Sequence, residues 1–196
     1  PYFIKTETDP TGSTTYTITG TSQLMSVPYA LYAKTSGGCT YSVGDFVPEL
    51  GGYIFYLDGS GCHGLVAKTQ DEPSVYQWSE FSFRTYAFAS GIFGGAQNTK
   101  KSIARAVANG STCPAAIQAS LTDGGFNDWY LPSIDELDMM YVNLHLQGLA
   151  GFAANYYWSS TEFDATQAWG WDPLGGYPSE KNKTDNTIYV HAVRSF

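Results

Sequence analysis

The chain has 196 residues and a formal net charge of −8 at pH 7, with 10 Lys and Arg against 18 Asp and Glu. A surface for nucleic acid, an anionic membrane or a sulfated polysaccharide requires clustered basic residues, and the longest basic run here is Lys100-Lys101, so the charge argues against all three partners. Charged residues make up 14% of the chain, against about 25% in an average soluble domain. Tyr, Gly, Ser and Thr replace them, which is typical of extracellular recognition proteins and of β-rich proteins with many turns.

A chain of this length can bury one sizeable core. No apolar run reaches the roughly 20 residues that a transmembrane helix needs, so we expect no membrane insertion. The chain opens at Pro1 within a segment that has the pattern of a strand, and it shows no signal peptide. We therefore expect a mature piece or fragment of a longer protein.

Residues 1–36 differ from the remainder and are predicted to form an N-terminal hairpin and connector. Partial alternation around the turn "DPTG" indicates a β-hairpin. Residues 30–33 are predicted to form one helical turn after Pro28, and Gly37-Gly38 a flexible exit into a second domain, residues 37–196. A hairpin of this size cannot bury a core alone, so it must pack on the main domain, on another chain or on upstream sequence.

The three cysteines are Cys39, Cys62 and Cys113. Cys39 and Cys62 flank a predicted hairpin and could form a disulfide if its two ends meet, although spacing alone does not determine connectivity. Cys113 precedes Pro114 at a predicted helix start, where we expect a small buried residue and no nucleophile.

The first part of the main domain is predicted to be mostly β. Residues Tyr53–Leu57 and Gly64–Lys68 form a hairpin around the turn Asp58–Gly61. The segment "VYQWSEFSF" is predicted to contain a short strand, and residues 82–97 a long loop.

Two helices follow. The first is predicted over residues 98–110, capped by Asn98 or Thr99, with Ile103 and Val107 on one face. The second is predicted to begin at Pro114 and to end before Gly124-Gly125.

A third helix has the clearest local signals. Ser133 and Glu136 form a Ser-x-x-Glu capping box, and Gly148 is expected to end the helix. The residues at helical spacing that we expect to pack are Leu137, Met140, Tyr141 and Leu144.

The remainder is predicted to be β-rich. "YYWSSTE" and "IYVHAVRSF" have strand patterns. Residues 164–186 between them are rich in Gly, Pro, Asn and Asp, and are predicted to hold one short strand, 168–171, within exposed loops.

Several of these motifs resemble one known family. "YSVGDF", "GGYIFYLDGSGCHGLVAK", "GAQNT", "WYLPSIDELDMMYVNLHLQGLAGF", "YYWSSTE", "AWGWD" and "YVHAVRSF" occur in the order seen in the C-terminal domain of collagen-like adhesins, the Lcl C-terminal domain family. The resemblance covers about residues 39–196. It implies an α+β, C-type-lectin-like fold related to the formylglycine-generating enzymes. "TSQLMSVPYALYAKTSG" is similar to a connector of bacterial secreted surface and fibre proteins.

The resemblance implies an adhesin, a recognition domain at the tip of a stalk or trimeric fibre at the cell surface or outside the cell. Its partner would be a cell-surface glycan or protein, and residues 1–36 would hold a homo-oligomer together. Two alternatives stay open. One is a structural fibre cap without its own ligand, and the other is an enzyme-like member of the formylglycine-generating superfold.

Catalytic and metal motifs are weak. The related formylglycine-generating enzymes use a Cys pair near the C-terminus, and this chain has no Cys after Cys113. No motif ties His63, His145 or His191 to a nucleophile, so we predict a non-enzymatic protein without a cofactor. Asn127-Asp128 matches a pair found at calcium sites of sugar-binding C-type lectins, but its partner motif is absent. We expect the pair to cap the turn before Trp129, with bound calcium as the open alternative.

The tryptophans and residues 164–186 yield the predicted binding site. Trp129 and Trp158 are expected in the core, and Trp169 and Trp171 on one face of a strand, with Trp169 assigned to the core and Trp171 open between core and sugar platform. A plain solvated loop is the alternative to a site here. The predicted ligand-binding residues, which offer planar donors and acceptors, are Trp171, Asp172, Tyr177, Glu180, Lys181, Asn182 and Asp185.

Overall fold

Residues 2–8, 18–24 and 39–196 are described in the computed structural model. Contacts within the chain separate two units, Pro1–Cys39 and Thr40–Phe196. In the first unit, β1 (Tyr2–Thr8) pairs antiparallel with β2 (Ile18–Leu24), as the hairpin prediction requires. The predicted "DPTG" turn, the helical turn at 30–33 and the domain boundary after residue 36 lie outside the described residues.

The second unit is α+β, and its first sheet is antiparallel with the order β3-β4-β5-β9. The strands are β3 (Phe46–Val47), β4 (Gly52–Leu57), β5 (Gly64–Ala67) and β9 (Val193–Ser195). The β4–β5 hairpin confirms the prediction. Gly52 lies so close to the opposite strand that an added Cβ would collide with the Ala67 carbonyl oxygen, so this strand start requires glycine.

The second sheet has the order β6-β7-β8 and carries most of the predicted site. Its strands are β6 (Tyr157–Glu162), β7 (Gln167–Asp172) and β8 (Tyr177–Asn182). The prediction of one short strand within loops was wrong for this region, because β7 and β8 form a regular hairpin of six paired positions. The polar sequence of β8 has little strand propensity, but the free edge of β7 pairs its backbone, and an edge strand tolerates Pro178.

Three α-helices occur in the described residues, α1 (Gly95–Ala108), α2 (Pro114–Ala119) and α3 (Ile134–Asn143). The predicted start of α1 was wrong by several residues. Asn98 does not cap the helix: it lies within it, buried, and its amide bonds the backbone of Ala89. Val107 is 73% exposed, so it does not share a buried face with Ile103. Small and polar residues form the buried face of α1 instead, which a hydrophobic pattern cannot reveal.

The start signals predicted for α2 and α3 are confirmed. Pro114 begins α2, and the capping box of α3 is complete: the Glu136 amide donates to Ser133 Oγ at 3.2 Å, and the Ser133 amide donates to Glu136 Oε2 at 2.7 Å. The α-helix ends at Asn143, and a 3₁₀ turn continues to Gly148, whose φ of 68° closes it.

Two predicted strands are wrong in part or in full. "VYQWSEFSF" forms no strand, although the amide of Trp78 donates to the Lys183 carbonyl. In "IYVHAVRSF" only Val193–Ser195 is a strand. Consecutive residues 190–193 are all buried, so this segment passes through the interior without the alternation of a half-exposed strand.

The core contains Trp129 and Trp158, as predicted, at 3% and 0% exposure. Cys113 is a buried free thiol, and burial raises its pKa to about 12, so it is a packing residue as expected. Cys39 and Cys62 are both disulfide-bonded, and their pairing with each other stays a prediction.

A buried carboxylate joins the starts of two helices. Glu136 accepts from the backbone amides of Ser133, Phe93 and Gly95, so it caps α1 as well as α3. A Cβ on Gly95 would collide with Glu136 Oε2, so only glycine fits here. Burial raises the pKa of Glu136 to about 7, although these hydrogen bonds favour the charged form.

The raised pKa of Glu136 should make the stability of the protein depend on pH. The native pKa of about 7 lies above the ordinary value of 4.5, so between these values the native state holds a proton that the unfolded chain releases. Stability then falls as pH rises from about 4.5 to 7, by on the order of 3 kcal/mol. Glu136→Gln should remove this slope in urea unfolding across that range, whereas the exposed Glu180→Gln should keep it. Equal slopes for wild type and Glu136→Gln would contradict the assignment.

Candidate functional site

The structure divides the predicted ligand-binding residues between the two faces of the β7–β8 hairpin. Side chains alternate along each strand, and Asp172 pairs with Tyr177 across the hairpin. One face carries Asp172, Tyr177 and Lys181, the other carries Trp171, Glu180 and Asn182, and Asp185 lies in the turn after β8. The seven residues therefore do not form one binding surface.

The first face carries a row of polar and aromatic groups, the tyrosine row, formed by Tyr156, Asp172, Tyr177 and Lys181. Tyr177 is 52% exposed, whereas Asp172 is only 9% exposed. Burial disfavours the Asp172 carboxylate, but hydrogen bonds from the Leu174 and Gly175 amides and from the Tyr156 hydroxyl outweigh it and lower its pKa. The row therefore presents a fixed anion beside an exposed phenol ring.

Lys181 lies across this face. Its Nζ sits 3.4 Å from the centroid of the Tyr156 ring. The side chain passes over Gly170, where an added Cβ would lie 3.2 Å from Lys181 Cγ and 3.2 Å from the Tyr157 carbonyl oxygen. Sequence reasoning did not assign Tyr156 or Gly170 to the site, but a glycine inside a strand is a signal of such a close approach.

The opposite face of the hairpin and the start of α3 enclose a concave site of about 500 Å³. We call this site the tryptophan groove. Trp171 is 6% exposed and belongs to the buried core, whereas Trp169, which was predicted in the core, is half-buried and packs against the edge of that core. The lining residues are Ser90, Ile134, Asp135, Asp138, Trp169, Trp171 and Pro178.

A buried ion pair joins the two outer strands, β6 and β8, at one end of this sheet. Lys183 Nζ donates to Glu162 Oε1 at 2.5 Å, and both side chains are fully buried. Lys183 also donates to the Phe83 carbonyl at 2.8 Å, while Glu162 accepts from the amides of Thr85 and Tyr86 at 2.8 Å each. Burial lowers the pKa of Lys183, against the opposing effect of Glu162. Nothing in the polar sequence around Lys183 indicates that this lysine is buried.

His191, predicted as an isolated strand residue, belongs to a hydrogen-bonded cluster. Its Nδ1 lies 2.8 Å from Asp71 Oδ1, and its Nε2 lies 2.9 Å from the Lys68 carbonyl oxygen. Tyr157 donates its hydroxyl to Asp71 Oδ2 at 2.7 Å. Both ring nitrogens are engaged within the protein and the ring is fully buried, so this arrangement directs no nitrogen at a substrate.

The Asn127-Asp128 pair has a different role from the one predicted. Asp128 does not cap the following turn: it accepts two hydrogen bonds from the Arg194 guanidinium, at 2.7 and 2.9 Å. Arg194 in turn lies over the Phe126 ring at 4.1 Å. Within the part of the chain that the structure describes, no group of three or more His, Cys, Asp or Glu side chains is placed to hold a metal ion.

A second concave region, of about 390 Å³, has charges that are matched internally. Lys68 Nζ contacts Glu72 at 2.6 Å and Asp123 at 3.2 Å. Gln118 donates to the other Glu72 oxygen at 2.9 Å. With its polar groups already partnered, this region offers a ligand less than the hairpin does.

No protein-family model matches the chain, and no curated protein matches it. The resemblance to the adhesin domain therefore depends on the quoted motifs and stays a prediction. Among the described helices, none has the length and apolar content to cross a bilayer.

The buried ion pair yields a stability prediction. Lys183→Met leaves the Glu162 carboxylate buried without its counter-ion and should lower the free energy of unfolding by about 3–5 kcal/mol. Lys181→Met, two residues away but only half-buried and without an ion-pair partner among the described residues, should cost less than about 1 kcal/mol. Urea denaturation of both variants measures the difference. A matched loss in the two variants would show that the pair does not anchor the hairpin.

Proposed function

We propose that this protein is a non-enzymatic recognition domain with a C-type-lectin-like fold, carried by an exported surface or fibre protein. It binds a cell-surface glycan or protein through the β7–β8 hairpin. The observation that carries the proposal is the tyrosine row, where Tyr177 is exposed beside an ordered carboxylate and an ordered ammonium group.

The row suits recognition because its groups are already ordered. Lys181 projects from the paired strand β8 and its ammonium group lies over the Tyr156 ring, while Asp172 is held by backbone amides of the turn. Groups fixed before binding lose little conformational entropy on binding. A tyrosine ring adds a large contact area with few rotatable bonds.

The charge of the chain narrows the ligand. A net charge of −8 repels sulfated or otherwise polyanionic chains. Within the row, the one ammonium group already faces a tyrosine ring and the Asp172 carboxylate. A neutral glycan or a protein surface fits this balance best.

The N-terminal strands favour an oligomer. An oligomer is also what the fibre-cap alternative requires. A two-stranded sheet such as β1–β2 is at best marginally stable in isolation. We propose that residues 1–36 associate with copies of themselves, with a trimer as the expected state. Mass measurement in solution tests this, and a monomer with an ordered β1–β2 pair would contradict it.

Binding is tested with a variant of the row and a matched control. Tyr177→Ala/Lys181→Met should lose about tenfold or more in binding on glycan arrays and cells, because it removes the exposed ring and the ammonium group. Tyr86→Ala/Lys101→Met removes an exposed Tyr and a Lys elsewhere and should bind like wild type.

Two outcomes separate the proposals, and a folding control supports them. Equal binding by the folded row variant and wild type would show that the tyrosine row is not the site. A wild-type protein that binds neither glycans nor cells would favour the fibre cap. Unfolding curves of each variant show whether a loss of binding reflects a loss of fold.

A further inference from the structure

The tryptophan groove combines acidic and aromatic groups without a resident cation. Asp135 and Asp138 lie on α3 at its edge, and Glu180 pairs with Trp169 on the same hairpin face. Among the residues that the structure describes, no Lys, Arg or His lines the groove. Neither aspartate takes part in an ion pair within the same residues. The described part of the chain therefore supplies no counter-ion for the negative charge of this surface.

The electrostatics of Asp135 are consistent with this arrangement. Burial, and then the neighbouring Asp138 carboxylate, raise the pKa of Asp135. An acidic residue in the first turn of a helix is also favourable, which accounts for Asp135 but not for Asp138 or for the two indoles that face them.

The indoles of the groove differ from two others in the chain. Trp78 carries the Lys183 ammonium at 4.6 Å from its ring centroid, and Trp129 carries that of Lys68 at 5.4 Å. Among the described residues no cation lies over Trp169 or Trp171. Trp is the aromatic side chain that attracts a cation most strongly, and nearby carboxylates add to this attraction.

One buried donor in the groove wall also lacks a partner. Trp171 is 6% exposed, and its Nε1–H has no hydrogen-bond acceptor among the described residues. A buried indole N–H normally finds an acceptor. This nitrogen is shielded from solvent, so a ligand in the groove meets the Trp171 ring and not its N–H.

We propose that the tryptophan groove binds a Lys or Arg side chain presented by an extended segment of a partner protein. The cation lies on the Trp169 ring and faces Asp135 and Asp138. The net charge of −8 attracts such a basic segment from solution.

This site is separate from the tyrosine row. The two surfaces lie on opposite faces of the hairpin and share no residue. Failure of the row variant in glycan or cell binding therefore leaves the groove proposal intact, and failure of the groove leaves the row proposal intact.

The first test compares how the wild-type protein binds a cationic peptide and an uncharged mimic of the same peptide. The probes are acetyl-Gly-Gly-Arg-Gly-Gly-amide and the same peptide with citrulline, which keeps the shape of Arg but is uncharged. The readout is the indole N–H cross-peaks of Trp169 and Trp171, assigned with Trp169→Phe. We expect the Arg peptide to shift both peaks with millimolar affinity and citrulline to bind about tenfold more weakly or worse.

The second test removes the negative charge. Asp135→Asn/Asp138→Asn should weaken the Arg peptide by about tenfold or more, because the cation loses both carboxylates. Glu49→Gln/Glu80→Gln removes the same charge elsewhere on the surface and should retain most of the affinity.

Several results would overturn the proposal. These are equal binding of the Arg and citrulline peptides, unchanged affinity of the folded Asp135→Asn/Asp138→Asn variant, or no shift of either indole peak at about 10 mM Arg peptide. Methyl α-glucoside shifting the same peaks more strongly than the Arg peptide would identify a sugar site instead.

Discussion

The position of the β7–β8 hairpin depends on the buried ion pair between Glu162 and Lys183. Two charges without solvent contact are costly unless every polar atom is matched, and here backbone groups at residues 83–86 complete the matching. The pair joins the end of β6, the residue after β8 and residues 83–86, which lie outside the strands. Both candidate surfaces lie on the sheet that this pair anchors, so their geometry depends on a contact in which no ligand takes part.

A carboxylate shielded from solvent also joins separate segments of the chain at two other places. Glu136 joins the starts of α1 and α3, and Asp71 joins His191 to Tyr157. The chain has few charged residues, yet it places several of them inside, where irregular segments meet and their backbone groups need partners. A sheet anchored in this way can present different chemistry on its two faces, because alternate side chains point in opposite directions.

The geometry of the β7–β8 region was predicted in part, and the errors have one cause. The shared face of Trp169 and Trp171 follows from strand parity alone and is confirmed by the pairing of the hairpin. The sequence did not show that the polar β8 is a strand, and without that strand the residues on either side of Tyr177 cannot be assigned to faces. Tyr156 and Gly170 were missed because their importance depends on Lys181, which reaches them only across the folded sheet.

The sequence by itself determined the elements whose causes lie within a few residues: the capping box at Ser133, the helix start at Pro114 and the β4–β5 hairpin. Only the tertiary structure decided that α1 begins at Gly95, where a carboxylate from another helix accepts its amides, and that Lys183 is buried. The physical reason is the distance along the chain between the residues that interact. Capping and turn formation involve neighbours in the chain, whereas the burial of a charge depends on which distant partner meets it, and Glu162 lies 21 residues away from Lys183.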